Sequence, residues 1–332
     1  LYLLLLPLHY RPKIHFYQSF FVVLSGNRAL DMEHAIGYTC RGIDYKKKVI
    51  YVKFSCKRLL FALLTVLGLL LIAVFVLMRS SPGIPVLNYH QVEEKDGNPL
   101  TLWPDQFEAQ MAYLADEGYT TITIDEMMDA LEGGAPLPEK PVIITFDDGY
   151  ADNYEYAYPI LKKYGFKATI FLIYDFTNTY PNYLTWAQID EMKASGLIRF
   201  ESHTMTHANL AELTSYDDLH HEIADSHDLL SEKLGYDMHY IAYPGGRVNE
   251  EIEEITRTSG YRGGFTVHYG LSTPFEGRYQ MDRIPIFGAN MHTLTRFKLR
   301  LAFAPLIAPL EDLRLTLRSY GFTTLANYML IP

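Results

Sequence analysis

From residue 84 onward, short apolar runs of strand character alternate with longer stretches in which apolar residues recur every three or four positions. "IPVLNYH" (84–90) reads as a buried strand that ends in polar groups. "PDQFEAQMAYLADEG" (104–118) has helical spacing and stops at Gly118. "YTTITI" (119–124) reads as a strand, and "DEMMDALEGG" (125–134) as a short helix capped by Asp125 and ended by glycine. The series continues with strand 141–146, helix 152–164, strand 167–173, helix 185–195, strand 197–202 and a long helix over 215–234. Strand 239–243, helix 249–259, strand 263–267 and a last strand at 281–287 complete it. Strands separated by helices in this way make parallel βαβ units. About seven units with no second break in composition predict one α/β barrel domain over 82–294. The apolar tail 295–332, containing "LAFAPLIAPLEDLRLTL", is expected to pack on that barrel as an extension.

The pattern upstream is different. Residues 59–78, "LLFALLTVLGLLLIAVFVLM", are 20 consecutive residues without a charge. As a helix they span about 30 Å, the thickness of a bilayer hydrocarbon core. Lys46, Lys47, Lys48, Lys53, Lys57 and Arg58 crowd the N-terminal flank, which the positive-inside rule places in the cytoplasm. The expectation is a single-pass anchor in a bacterial cell membrane, with residues 1–58 inside and the barrel outside. The competing reading is a signal peptide that is cleaved to release the domain, but "VLMRSSPG" offers no small-x-small cleavage site. Residues 1–50 mix aromatic and basic residues without a sustained period and do not begin with Met. They are assigned no function, and a true start at Met32 or just before "KFSCKRLLF" would account for them.

Charge sharpens this division. Residues 1–81 carry 11 Lys+Arg against 3 Asp+Glu, and residues 82–332 carry 18 against 36, a net of −18. Such an acidic domain repels polyanions, so nucleic acid is excluded as a partner. Both cysteines, Cys40 and Cys56, precede the apolar span. The domain beyond it therefore has no disulfides and no thiol catalysis.

In a parallel α/β fold, ligands sit at the carboxyl ends of the strands. Three polar clusters fall there: Asn88 and His90 after the first strand, Asp147-Asp148-Gly149 after strand 141–146, and His203 and His207 in "ESHTMTH". Histidines four apart would place both rings on one side of a helical turn. Two imidazoles and a carboxylate form the ligand set of a catalytic divalent ion. One aspartate would then serve the metal, leaving the other to take a proton from water that the metal acidifies. The remaining histidines fit less well. His220, His221 and His227 read as surface residues of helix 215–234, and His239, His268 and His292 have no partner at ligand spacing.

At these residues the sequence resembles the NodB-homology polysaccharide deacetylases, carbohydrate esterase family 4, over approximately 84–290. The motif T-F-D-D-G is intact at Thr145–Gly149, and H-[ST]-x-x-H at His203–His207. The resemblance implies a distorted (β/α)7-type barrel, with Asp147 as catalytic base and Asp148, His203 and His207 as metal ligands. Zinc is the metal expected, with nickel or cobalt as alternatives. The third motif, commonly R-P-P-Y-G, becomes "AYPGG" (242–246), so Ala242 stands where the base-orienting arginine would be. Arg283 in "DRIPI" is the candidate to replace it, Gly245 N–H the candidate oxyanion donor, and Tyr243 a neighbouring substrate-site residue. The final L-x-H motif, which supplies the general acid, is missing. "VLNYHQV" (86–92) is similar to the first strand of the poly-N-acetylglucosamine deacetylase subgroup, which makes His90 the acid. The same likeness covers "LTWAQIDEM" (184–192) and suggests that Trp186 lines the sugar site. The expected activity is metal-assisted hydrolysis of N-acetyl groups on an extracellular N-acetylglucosamine glycan. Peptidoglycan, chitooligosaccharides and O-acetyl xylan are alternative substrates, and an inactive glycan-binding module is an alternative of another class. Nothing in the sequence indicates an oligomeric state.

Overall fold

The computed structural model describes residues 56–80, 83–94, 98–273, 277–288 and 293–329. The chain divides into two units, Leu1–Leu59 and Leu60–Pro332. The first lies almost entirely outside the described residues, as do its reading as an upstream segment and the candidate His292.

Among the described residues ten strands are formed: β1 (Val86–Tyr89), β2 (Gln91–Val92), β3 (Thr101–Leu102), β4 (Thr120–Thr121), β5 (Pro141–Phe146), β6 (Ala168–Leu172), β7 (Ile198–Ser202), β8 (Tyr240–Ala242), β9 (Gly263–Tyr269) and β10 (Met281–Pro285). The main sheet runs β1-β10-β9-β8-β7-β6-β5-β4, and β1 also pairs with β5. Seven parallel strands thus close into a barrel, with β4 beside β5. Helices on the outside cover it, as the alternating pattern predicts.

Period-two alternation sorts the strand side chains into two cores. Leu87, Val142, Ile144, Phe146, Ile170, Phe200 and Ile241 face outward and pack with helix residues such as Phe107, Met111, Leu161, Ile189 and Ile252. Val86, Ile143, Phe171, Tyr240, Ala242, Phe265 and Met281 face inward. Ile122, Ile124, Met127 and Met128 join this inner cluster and close the amino end of the barrel. Further along the same inward rows come Asn88, Thr145, Asp147, His203 and Arg283, all buried. The alternation packs hydrocarbon inside the barrel and sets buried polar groups beyond it at the carboxyl end.

Several elements differ from the sequence expectation. The strand at 119–124 shrinks to Thr120–Thr121, and the N-cap of the following helix, Ile124–Leu131, is Thr123 rather than Asp125. Thr123 Oγ1 accepts from Glu126 N–H while the Glu126 carboxylate accepts from Thr123 N–H. A hydroxyl three residues before a glutamate satisfies two free donors at once, so it outcompetes the aspartate. The helix at 215–234 is interrupted by a π-helical segment, His221–Asp225. A second π segment, Asn153–Ala157, leads into Tyr158–Tyr164, where Pro159 lacks the donor that a regular helix requires. The last strand stops at Pro285. His227, expected at the surface, is mostly buried with its ring edge against Tyr261, and His239, which had no partner at ligand spacing, bonds the distant Asp125.

The tail forms helices Leu294–Ala302, Ala304–Ser319 and Thr323–Asn327. Phe297, Leu301, Ala304 and Ile307 are buried in the outer core, with the Phe297 ring edge-on to Tyr113 at 6.1 Å. Cys56–Ser80 is a 25-residue helix. Among the described residues no helix is long and apolar enough to cross a membrane. The 59–78 span includes positions outside the side-chain description.

Candidate active site and metal centre

The carboxyl ends of β1, β5, β7 and β8 converge, so the first two motifs meet although more than fifty residues separate them. Asp148 Oδ1 lies 3.3 Å from His203 Nε2 and 3.4 Å from His207 Nε2. One donor atom from each of the three residues falls within 4.8 Å of the others. His203 Nδ1 is 2.7 Å from Ala242 O, so it carries the proton and leaves Nε2 with a free lone pair pointing at the centre. Two imidazole nitrogens and one carboxylate oxygen, convergent and oriented from behind, fit a divalent cation.

The backbone that achieves this is strained. Among the described residues, four non-glycine residues have positive φ, and three of them are Asp148 (72°), Thr204 (70°) and His207 (64°). Each left-handed residue costs about 1–2 kcal/mol. Strain of this kind gathers at functional sites, where the surroundings enforce it. The His203–His207 stretch is therefore not the helical turn expected from its spacing; two left-handed bends bring the rings together instead. Glu222, buried in the π segment, enforces this shape. Its carboxylate accepts from Met205 N–H (3.1 Å), Thr206 N–H (3.0 Å) and the Thr206 hydroxyl. Thr204 Oγ1 also accepts from His207 N–H at 3.2 Å. Sequence reading missed Glu222 because it sits within an otherwise polar helix and carries no motif.

Asp147 is treated differently from its neighbour. Arg283 grips it with both arms of the guanidinium, Nη1 to Oδ1 at 2.7 Å and Nη2 to Oδ2 at 2.8 Å. Arg283 also donates through Nε to Thr266 O at 2.8 Å and through Nη1 to Thr145 Oγ1 at 3.3 Å. It is fully buried beside the rings of Phe171 and Phe265. Burial alone would raise the Asp147 pKa, but Arg283 and His203 hold it well below the usual carboxylate range. An ionised, oriented carboxylate one residue from a candidate metal ligand is suited to accept a proton. The arginine that pairs with Asp147 thus comes from β10, as the sequence suggested for Arg283.

His90 extends this group from β1. Its Nδ1 is buried and has no hydrogen-bond partner among the described residues. Burial pushes the imidazole below its ordinary value, while the charges of Asp147 and Asp148 oppose that shift. Gly245 is exposed at φ 63°, and Gly246 packs against Val267 so closely that a Cβ would collide, which accounts for the paired glycines of the third motif. Two of the candidates fall elsewhere. The Tyr243 side chain is fully buried on the helical side, with its hydroxyl 3.4 Å from Thr256 Oγ1, so only its backbone borders the site. The Trp186 ring lies between Tyr174 and the Lys233 ammonium in the outer layer. Tyr183, three residues earlier, stacks on Tyr150 at 5.0 Å. This aromatic pair beside the triad was also missed, although Tyr150 directly follows the first motif.

Comparison with known proteins agrees with this geometry. The family model for polysaccharide deacetylase matches residues 134–264. The Bacillus subtilis (strain 168) protein YxkH, whose name assigns it to the polysaccharide deacetylases, is 40% identical over 203 residues, covering 61% of this chain and 71% of that protein. The poly-beta-1,6-N-acetyl-D-glucosamine N-deacetylase of Staphylococcus epidermidis is 30% identical over 237 residues, 63% of this chain and 81% of the relative. Among solved structures, the Streptococcus pyogenes deacetylase PplD in complex with acetate aligns with a TM-score of 0.61 at 34% identity, covering 65% of this chain and 97% of that one. IcaB from Ammonifex degensii aligns with a TM-score of 0.55 at 29% identity, covering 67% and 97%. Barrel, motifs and relatives agree, and the chain belongs to the NodB-homology polysaccharide deacetylases, a family of amide hydrolases.

Proposed function

We propose that the chain hydrolyses N-acetyl groups of an N-acetylglucosamine-containing glycan outside the cell, releasing acetate and leaving a free amine. The observation that carries this reading is the division of labour between adjacent aspartates, one paired with Arg283 and the other facing two histidines. Asp148, His203 and His207 would hold a divalent cation; zinc suits the donor set, and nickel or cobalt fit it too. When bound, such an ion supplies Lewis acidity to the acetyl carbonyl and acidifies water. Asp147 takes a proton from the attacking water at its carboxylate, which Arg283 keeps ionised and aimed. The Gly245 N–H borders the position where charge develops on the carbonyl oxygen. His90 delivers a proton to the departing nitrogen. The base-orienting arginine missing from the third motif suggested an inactive module, and Arg283 removes that objection.

Relatives named as poly-beta-1,6-N-acetyl-D-glucosamine N-deacetylases support this substrate class. The uncharged 59–78 span with its basic flank supports anchorage in a bacterial membrane, with the barrel outside; cleavage and secretion is the other outcome. The test is acetate release from β-1,6-linked N-acetylglucosamine oligomers by metal-loaded protein, with Asp147→Asn as control. Equal release by the two proteins, or none from any acetylated glycan, would falsify the proposal.

A further inference from the structure

β1 ends at Tyr89, and the peptide groups that follow need partners from outside the sheet. Within the strand, Asn88 O accepts from Ile286 N–H and Tyr89 O from Asp147 N–H, both at 2.9 Å. At His90 two side chains from the start of the π segment take over. Asn153 Nδ2 donates to His90 O at 2.9 Å, from 63 residues further along the chain. Asp152 Oδ1 accepts from Val92 N–H at 3.0 Å and from Asn153 Nδ2 at 2.8 Å, which ties the two side chains to each other. Gln91 N–H and Glu93 N–H bond β3 instead, at Leu100 O and Leu102 O. Asp152 and Asn153 are both buried. The His90 ring has no such hold, because its Nδ1 is buried without a hydrogen-bond partner among the described residues. What fixes the imidazole is the backbone that carries it.

Burying a carboxylate and an amide is unfavourable unless their hydrogen bonds are made, and here those bonds are made to the chain at His90 and Val92. A proton donor misplaced by about 1 Å can lose on the order of 10²-fold in rate. We infer that Asp152 and Asn153 are positioning residues, which clamp the backbone at and just after His90 and so hold its imidazole where the departing nitrogen takes its proton. The inference rests on the deacetylase reading above, with His90 as acid. It extends that reading by giving the stretch 147–153 a third task beside the base and the candidate metal ligand. In amide cleavage water adds to the carbonyl carbon, the C–N bond breaks, and the nitrogen leaves as an amine only once it has taken a proton. An aryl acetate breaks its C–O bond and the aryloxide leaves as an anion, so that proton is not needed.

The experiment gives metal-loaded wild type, Asn153→Ala, Asp152→Ala, Asp152→Asn, His90→Ala and the double variant His90→Ala/Asn153→Ala two substrates, β-1,6-linked N-acetylglucosamine oligomers and 4-nitrophenyl acetate. Bound metal is measured in the same samples. The readout is the ratio of kcat/KM for the amide to kcat/KM for the ester, which a smaller folded fraction leaves unchanged. Asn153→Ala and Asp152→Ala are expected to lower that ratio about 10–100-fold with metal content at the wild-type level. Asp152→Asn keeps an acceptor oxygen for Val92 N–H and should restore most of it. The double variant should fall no further than His90→Ala alone, as expected for residues that act through one group. Amide and ester rates that fall together, or a ratio unmoved in both alanine variants, overturn the clamp, and a selective loss in His90→Ala then leaves the acid assignment standing. A ratio unmoved in His90→Ala removes the acid assignment and the clamp with it. Absence of acetate release from the oligomers by wild type removes the deacetylase reading on which both depend.

Discussion

Two charged clusters occupy opposite ends of the same barrel and use the same residue types. At the amino end, Asp125 accepts from Tyr240 OH (2.8 Å), His239 Nδ1 (2.9 Å) and Arg262 Nη1 (3.0 Å), and Arg262 also reaches Asp129 at 2.8 Å. At the carboxyl end, Asp148 faces two histidines, Asp147 is locked to Arg283, and His90 Nδ1 has no partner among the described residues. The Asp125 cluster is satisfied, half-buried and built on relaxed backbone. The other is strained and buried except at His207, and it leaves donor atoms free to act. Aspartate, histidine and arginine together do not indicate chemistry; burial with unspent hydrogen-bonding capacity does.

The sharpest break in this comparison comes from the triad. His203→Ala or Asp148→Ala should abolish acetate release and bound metal together, and a chelator should do the same to wild type, reversibly on adding zinc. Asp147→Asn should lower kcat by about 10²–10⁴-fold, the contribution of a positioned base, while metal content stays at the wild-type level. Arg283→Ala removes the counter-charge of a buried carboxylate and should cost about 3–5 kcal/mol in denaturant unfolding, with lost activity in whatever remains folded. Asp125→Ala should cost only about 1–3 kcal/mol, and acetate release per folded molecule should not change. If Asp125→Ala silenced the enzyme without unfolding it, the two ends would not be separable in this way.

Glu201 refines the comparison. It is fully buried, bonded to Arg199 and to the N–H groups of His239 and Tyr240, and burial pushes it up to about 7 from an ordinary 4.5. The folded state therefore keeps this proton to a higher pH than the unfolded chain does, so stability falls as pH rises from about 4.5 to 7. Asp147 has the opposite sign: its depressed pKa adds stability above the ordinary carboxylate range, which is lost only in strong acid. The melting temperature of Glu201→Gln should depend less on pH between 5 and 8 than that of wild type. Parallel curves would count against a buried, proton-holding Glu201.

The barrel was legible because its signals are local and repeated, with strand runs, helical spacing and glycine stops recurring about seven times. Asp147, Asp148, His203 and His207 were legible because they sit in contiguous motifs at strand ends. Glu222 and the Tyr150–Tyr183 pair were not, since their roles depend on which segments the fold brings together. The Thr123 cap was misread because two weak cap signals lay two residues apart. The helical turn assigned to His203–His207 failed for another reason. Spacing gives the separation of ligands but not the backbone that joins them, and here left-handed residues do the joining.

Barrel closure also has a temporal consequence. The first strand is flanked by β5 and β10, with Leu87 beside Ile284, and Asp147 meets Arg283 across 136 residues of chain. Contacts of that range form late, after most of the loop entropy has been lost. A nascent chain that has emerged only as far as β9 has Asp147 and the Asp148–His203–His207 group but lacks the cation that makes burying Asp147 tolerable. The last strand to arrive both shuts the cylinder and brings Asp147 its counter-charge, so an unfinished polypeptide leaves that carboxylate unpaired.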